Sequence, residues 1–239
     1  MGEVTSAEDL KREVGAAAVD RYVVDGMRLG LGTGSTAIWA VRRTAERFAA
    51  GELPRIRVVT TSLQSDLEAR SLGLPVVTLN DAGMEGGLDL TIDGADEVDA
   101  RGALIKGGGG ALLMEKVVAY ASSRFGVVVD RGKLSDRLGS LFPVPIEVVP
   151  GALAPVRRAL QALGAEVGLR MAVRKAGPVV TDLGNLLLDA RFRTAFDPSA
   201  MEAVLDAIPG VLGNGLFTRR RPEVLAAGPG GIETLRFNV

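Results

Sequence analysis

The stretch Met27-Arg-Leu-Gly-Leu31-Gly-Thr-Gly-Ser-Thr36 decides how the chain is read. Met27 to Leu31 is a short buried strand that runs straight into glycines, and the following Ile38, Val41, Ala45 and Phe48 recur at helical spacing. A strand, a glycine-rich turn and a helix in immediate succession form the opening of a parallel α/β unit. Working outward, Ala7 to Tyr22 reads as a first helix, with Leu10, Val14, Ala17 and Ala18 on one face. Thr5-Ser-Ala-Glu8 reads as its capping box. Strands follow at Ile56–Thr60, Pro75–Leu79, Leu88–Ile92 and Phe125–Val129, separated by helices over Ser65–Ser71 and from the glycines at 107–110 to about Ser122. Alternation of this kind predicts a mostly parallel, Rossmann-like sheet with helices on both faces.

From about Pro145 the rhythm changes. A strand at Ile146–Val149, a helix at Ala154–Leu163, strands at Glu166–Val173 and Leu186–Ala190, a helix at Pro198–Ile208 and a strand at Val211–Phe217 spell β-α-β-β-α-β, the pattern of a ferredoxin-like α+β module. The division expected is therefore an α/β catalytic domain over 1–140 plus 218–239 and a smaller ferredoxin-like domain over 141–217. The apolar stretches within Glu223 to Val239 are expected to return to the first sheet.

Composition narrows the chemistry. The 239 residues are 47% apolar and carry 28 basic against 29 acidic side chains, so no basic face for nucleic acid is implied. There is no cysteine and no histidine, which removes thiol nucleophiles, disulfides, Cys-ligated metals and any Ser-His-Asp triad. Acid–base work falls to carboxylates, lysine or tyrosine, and any metal would need oxygen ligands. No apolar run reaches the roughly 18–20 residues of a membrane span. The amino-terminal stretch lacks the basic and apolar regions of a secretory signal. Gly2 and Ser6 fit the loose myristoylation pattern, but the capping box accounts better for the same residues. A cytoplasmic protein that binds neither nucleic acid nor membrane is expected.

Four segments carry candidate chemistry. Thr33, Gly34, Ser35 and Thr36 lie where backbone N–H groups, hydroxyls and a helix N-terminus converge on an anion. The loop lacks the Gly-Lys-Ser/Thr of a Walker A motif. As a dinucleotide fingerprint it has Ser35 for the third glycine, and the next strand ends in Thr60-Thr-Ser62 with no ribose-binding acid. Asp93-Gly94-Ala95-Asp96-Glu97-Val-Asp99 follows a strand's carboxyl end, where open α/β sheets bind ligands. Asp93 and Asp96 would hold Mg²⁺ or move protons between substrate oxygens, while Glu97 and Asp99 read as a solvated acidic loop. Lys106 stands before Gly107-Gly108-Gly109-Gly110, a run whose entropic cost implies that the backbone approaches something closely rather than serving as a flexible linker, with the lysine as a compact charge for phosphate or a developing oxyanion. Glu115 lies among Leu112, Leu113, Met114, Val117 and Val118; it is either a desolvated general base or a residue of the helix's outer face. Lys133 is a further cation beyond the next strand.

Taken together and in order, these segments resemble the type A ribose-5-phosphate isomerases over essentially the whole chain. The likeness rests on Leu10-Lys-Arg-Glu-Val-Gly15, Gly32-Thr-Gly-Ser-Thr36, Asp93-Gly-Ala-Asp-Glu97, Lys106-Gly-Gly-Gly109, Glu115-Lys116, Phe142-Pro-Val-Pro145, Thr181-Asp-Leu-Gly-Asn185, Ile208-Pro-Gly-Val211 and Gly215-Leu-Phe217. The resemblance implies interconversion of D-ribose 5-phosphate and D-ribulose 5-phosphate in the pentose phosphate pathway, with no metal or organic cofactor, by a homodimer or homotetramer. It makes Glu115 the base that moves hydrogen between C1 and C2, and gives Asp93, with Asp96 beside it, the opening of the sugar ring and proton transfer between oxygens. Lys106, Gly107 to Gly109, Thr33 to Thr36, Gly94, Ala95 and Lys133 would hold the phosphate and sugar oxygens. The chain departs from the pattern at Leu113-Met114, where many relatives have Thr and Arg, at Thr60–Gln64, and at Asn214, where Glu is common. The competing readings are a non-catalytic sugar-phosphate sensor, an amino-sugar-phosphate isomerase/deaminase or lactone hydrolase, which usually lean on a histidine, and a nicotinamide-dependent dehydrogenase.

Overall fold

The computed structural model describes residues 6–237. In chain order the elements are α1 (Ala7–Tyr22), β1 (Arg28–Leu31), α2 (Ala37–Ala49), β2 (Arg57–Thr60), α3 (Leu63–Ser71) and β3 (Leu88–Asp93). Next come β4 (Glu97–Asp99), β5 (Leu104–Ile105), α4 (Leu112–Tyr120), β6 (Ser122–Asp130) and β7 (Leu134–Ser135). They are followed by β8 (Val144–Val148), α5 (Leu153–Ala162), β9 (Ala165–Leu169), β10 (Leu186–Phe192), α6 (Pro198–Asp206) and β11 (Val211–Asn214), then β12 (Leu216–Phe217), β13 (Glu223–Gly228) and β14 (Gly231–Arg236). The chain divides into two compact units, one formed by residues up to Gly94, Met114–Gly132 and Arg220 onward, the other by Ala95–Leu113 and Lys133–Arg219. The smaller domain expected over 141–217 falls wholly within the second unit, which also takes in 95–113 and 133–140.

The first unit is built on a six-stranded sheet in the order β14-β13-β6-β3-β1-β2, parallel throughout except for the β13–β14 hairpin. The period of two along β1 sorts its residues between layers. Leu29 and Leu31 pack in one core with Val14, Ala18 and Val19 of α1 and Val41 of α2. Gly30 faces the other way, where a Cβ would lie 2.8 Å from Val118 of α4. Helices thus cover both faces, and the expected apolar stretches after Glu223 do return to the sheet, as β13 beside β6 and β14 beside β13.

The second unit holds an antiparallel sheet in the order β11-β8-β10-β9, with Val156 and Leu160 of α5 and Leu205 of α6 in its core. Numbered within the module, that order is 4-1-3-2, the ferredoxin-like arrangement expected from β-α-β-β-α-β. A third sheet, β12-β5-β4-β7, was not anticipated. Its strands are two or three residues long, too short to show a period.

Several local expectations are corrected. Pro75–Leu79 is not a strand; Val76 makes a single bridge to Val58, and the N–H of Thr78 donates to Asp81 Oδ2 at 2.6 Å, which turns the chain away. The cap of α1 is Ser6, paired reciprocally with Asp9 rather than Thr5 with Glu8. Thr5 and Gly2, and with Gly2 the myristoylation reading, lie outside the described residues. The strand expected at 166–173 ends at Leu169: the Arg170 N–H still donates to Leu187 O, but its carbonyl accepts from Val179 N and the Ala172 N–H donates to Gly177 O. The strand expected at 211–217 divides at Gly215: β11 joins the ferredoxin-like sheet and β12 the small one.

Candidate active site

In the first unit the glycine loop and the end of β3 form one assembly. A Cβ on Gly32 would lie 2.0 Å from Asp93 Oδ1 and 2.6 Å from Asp93 Cα, so no side chain fits there. Asp93 is fully buried, and its Oδ1 accepts the N–H groups of Thr33 at 3.0 Å and Gly94 at 2.7 Å. Two amides on one carboxylate oxygen hold the group in a single orientation.

The loop is more internally committed than its sequence suggests. Its Gly32, Thr33 and Gly34 amides go to Ile92 O, Asp93 and Gln64 Oε1. What remains for an external anion is the start of α2, where Thr36 makes no side-chain cap and Ser35 is exposed. The Thr33 hydroxyl contacts those of Thr61 and Ser62, each at 2.6 Å. Thr61, Ser62 and Gln64 were not among the candidates. The signal for them was their place at the carboxyl end of β2, next to β1 in a parallel sheet.

Glu115, in the first turn of α4, is 5% exposed. The outer-face alternative for this residue is thereby excluded. The preceding Met114 packs with Val59, Met84, Leu88 and Val118, so the apolar replacement at that position has apolar neighbours.

The second unit carries Lys106, Asp96 and the glycines. Lys106 is 1% exposed; its backbone N–H donates to Gly215 O and its ammonium lies 5.7 Å from the centroid of Phe217, in cation–π range. Asp96 is half-buried and its Oδ2 accepts the Gly108 N–H at 2.7 Å. Gly107 and Gly110 have φ of +105° and +83°, and the Gly110 N–H closes the turn onto Gly107 O. Lys133 ends the short 3₁₀ turn Arg131–Lys133, half-buried. The structure therefore joins Thr33, Asp93 and Gly94 in one network and Asp96 with the glycine turn in another.

The solvated-loop reading of Glu97 and Asp99 is wrong. Glu97 is fully buried and accepts from Ser135 Oγ, Gly139 N, Ser140 N, Ser140 Oγ and Phe142 N at 2.8–3.2 Å. Asp99 accepts the N–H groups of Arg101 and Ala103 through Oδ1. Both are bonded into the loops they organise, which offsets the cost of their burial.

A buried carboxylate and an uncapped helix start at the carboxyl ends of a parallel sheet, with a buried glutamate on a helix of the same unit, place the protein among α/β proteins equipped for acid–base chemistry on a small anionic molecule. Residues 57–231 match the model of the family ribose 5-phosphate isomerase A (phosphoriboisomerase A), and the chain belongs to that family. It is 51% identical to the ribose-5-phosphate isomerase A of Thermosynechococcus vestitus over 92% of either chain. It is 45% identical to that of Treponema denticola over 95% of this chain and 98% of the relative. Among solved structures, the enzyme of Methanocaldococcus jannaschii superposes with a TM-score of 0.90 at 42% identity, covering 97% of this chain and all of that one. A D-ribose-5-phosphate isomerase in complex with phospho-erythronic acid gives 0.92 at 40% identity, over 96% and 99%.

Proposed function

We propose that the chain interconverts D-ribose 5-phosphate and D-ribulose 5-phosphate through an enediol(ate), in the non-oxidative branch of the pentose phosphate pathway and without a metal or organic cofactor. The observation that carries this reading is Glu115, a carboxylate withdrawn from water on the first turn of α4. On the ring-opened aldose, Glu115 takes the hydrogen from C2 as the C1 carbonyl becomes a hydroxyl. The same carboxyl then returns a proton to C1 while the O2 proton leaves and C2 becomes the ketone. Asp93 serves ring opening and, with Asp96, proton transfer between O1 and O2. Lys106 faces the developing oxyanion or the phosphate, which Gly107 to Gly109, Thr33 to Thr36, Gly94, Ala95 and Lys133 also help to hold. The phospho-erythronic acid bound by the structural relative carries a phosphate and a carboxylate, the kind of charge such a site would accept. The catalytic work is assigned to 1–140 with 218–239, the smaller domain to 141–217, and the working form to a cytoplasmic homodimer or homotetramer.

The test is ketose formation from ribose 5-phosphate by metal-stripped protein, compared with Glu115→Gln. A positioned base is worth about 10²–10⁴-fold, so kcat should fall by at least about 10²-fold while a sugar-phosphate inhibitor still binds within a few-fold. Near-normal turnover by the variant would remove Glu115 from its role. Activity lost on metal removal and restored by Mg²⁺ would turn the acidic segment into a metal site.

A further inference from the structure

We infer that Arg170, oriented by Asp189, is a positioning residue that sets the glycine turn after Lys106 in the shape needed for catalysis. This rests on the isomerase reading above and extends it to two residues outside every motif quoted for the family resemblance. Arg170 follows β9, and its backbone is fixed on both sides: its N–H donates to Leu187 O and its carbonyl accepts from Val179 N. Its guanidinium is largely buried and forms a two-point pair with Asp189 of β10, through Nε to Oδ2 at 2.9 Å and Nη2 to Oδ1. The remaining terminal nitrogen, Nη1, donates to two consecutive carbonyls, Gly107 O at 2.8 Å and Gly108 O at 3.1 Å.

In a planar trans peptide the carbonyl and the N–H point in opposite directions. Drawing the Gly107 carbonyl onto Arg170 therefore sends the Gly108 N–H the other way, and that is the N–H Asp96 Oδ2 accepts at 2.7 Å. The next peptide has its Gly108 carbonyl on the same nitrogen, so its Gly109 N–H is also directed away from Arg170. Gly108 and Gly109 are exposed. One guanidinium thus fixes two successive amides on one side of the turn, an arrangement suited to anions. It also ties the orientation of Asp96 to Asp189 through the chain Asp189–Arg170–Gly107/Gly108–Asp96. Four glycines have no side chains with which to hold a shape, and Arg170 supplies that restraint. A Cβ on Gly108 would lie 2.4 Å from Asp96 Oδ1, so the turn cannot gain stiffness from a side chain there. Lysine cannot replace the arginine, because a single ammonium cannot reach both carboxylate oxygens and both carbonyls in one plane.

The experiment compares wild type with Arg170→Ala, Arg170→Lys and Asp189→Asn for kcat, KM and melting temperature. Arg170→Ala is also assayed with millimolar guanidinium or methylammonium. Misplacement of reacting groups by about 1 Å costs up to about 10²-fold. The expectation is a 10- to 100-fold lower kcat for Arg170→Ala, most of that loss retained in Arg170→Lys, and at least a threefold lower kcat for Asp189→Asn. Guanidinium should restore several-fold activity to Arg170→Ala and methylammonium none, a response that a loss of fold stability alone would not give. If wild type fails to isomerise, the isomerase reading falls. If wild type turns over and Arg170→Ala keeps kcat within twofold, or shows no preference for guanidinium, the positioning role falls. Should Arg170→Ala not fold, Asp189→Asn decides, and an unchanged kcat there overturns the inference.

Discussion

Glu97→Gln is the substitution that separates the structure's account of the acidic segment from the one its sequence suggests. Five donors converge on this buried carboxylate: Ser135 Oγ, Ser140 N and Ser140 Oγ on Oε1, and Gly139 N and Phe142 N on Oε2. Glutamine offers one acceptor oxygen and one amide nitrogen. Its cheaper orientation keeps the oxygen on Gly139 and Phe142 and turns the nitrogen toward the serines. Both serine hydroxyls can then accept from that nitrogen and donate to Arg137 O, which each already approaches at 2.8–3.0 Å. The Ser140 N–H is left facing a donor. An orphaned buried donor costs about 1–3 kcal/mol, and the two retained amide bonds lose their ionic strengthening, about 1 kcal/mol together. The sum is about 2–4 kcal/mol, a large share of the roughly 5–15 kcal/mol that holds a native domain together. Urea unfolding followed by far-ultraviolet circular dichroism measures it, with Trp39, the single tryptophan, reporting the first unit alone. A solvated glutamate would change stability by less than about 0.5 kcal/mol. A value in that range would refute the five-donor account.

Two further substitutions test other parts of the molecule. Lys106→Met keeps the stem beside Phe217 and removes the charge; it should weaken phosphorylated inhibitors about 10- to 100-fold, as expected for a lost charge-assisted bond, and unphosphorylated pentoses far less. Equal weakening in calorimetric titrations would take Lys106 off the phosphate. For Asp89, hydrogen bonds from Arg28 hold the carboxyl below its ordinary 3.8. A native value below the unfolded one stabilises above the unfolded value and is lost as pH falls through the native one, so wild type should exceed Asp89→Asn at pH 7 and lose that lead progressively as pH falls below 3.8. With more than a third of the side chain exposed, the lead should be under about 1 kcal/mol; a lead in urea midpoint that does not shrink on acidification would contradict the ion pair.

What the sequence made legible is what local chemistry controls. The α1 helix runs Ala7–Tyr22 as its periodicity requires, and the parallel alternation is visible because β1, β2, β6 and β13 each carry a short apolar run. Asp93 could be picked out because β3 ends there, and the glycine at 32 because a strand runs into it. Non-local partners carry the rest. The donors to Glu97 stand 38–45 residues away in a stretch with no period, and Arg170 reaches Gly107 across 63. Pro75–Leu79 has the composition of a strand, but the Asp81 side chain takes the Thr78 amide that a ladder would need. Gly215 reads as one residue of a strand; only the packing of Pro145 and the Lys106 carbonyl against it shows that the chain changes sheets there.

The acidic segment shows why adjacency in sequence says little about role. Asp93, Asp96, Glu97 and Asp99 are four carboxylates in seven residues, and what distinguishes them is which segments supply their donors. A carboxylate offers about four lone-pair positions. Five donors saturate Glu97, so it has nothing left with which to accept a substrate hydroxyl or abstract a proton. Asp99 lies two residues further along β4, on the same face, and receives two loop amides. Asp93 and Asp96 instead take amides from the glycine segments at 32–36 and 107–110, the same segments to which ligand binding is assigned. The four acids therefore sort by the segment that orients each of them. Here that sorting follows from whether the amides that reach each acid belong to a glycine turn or to a structural loop.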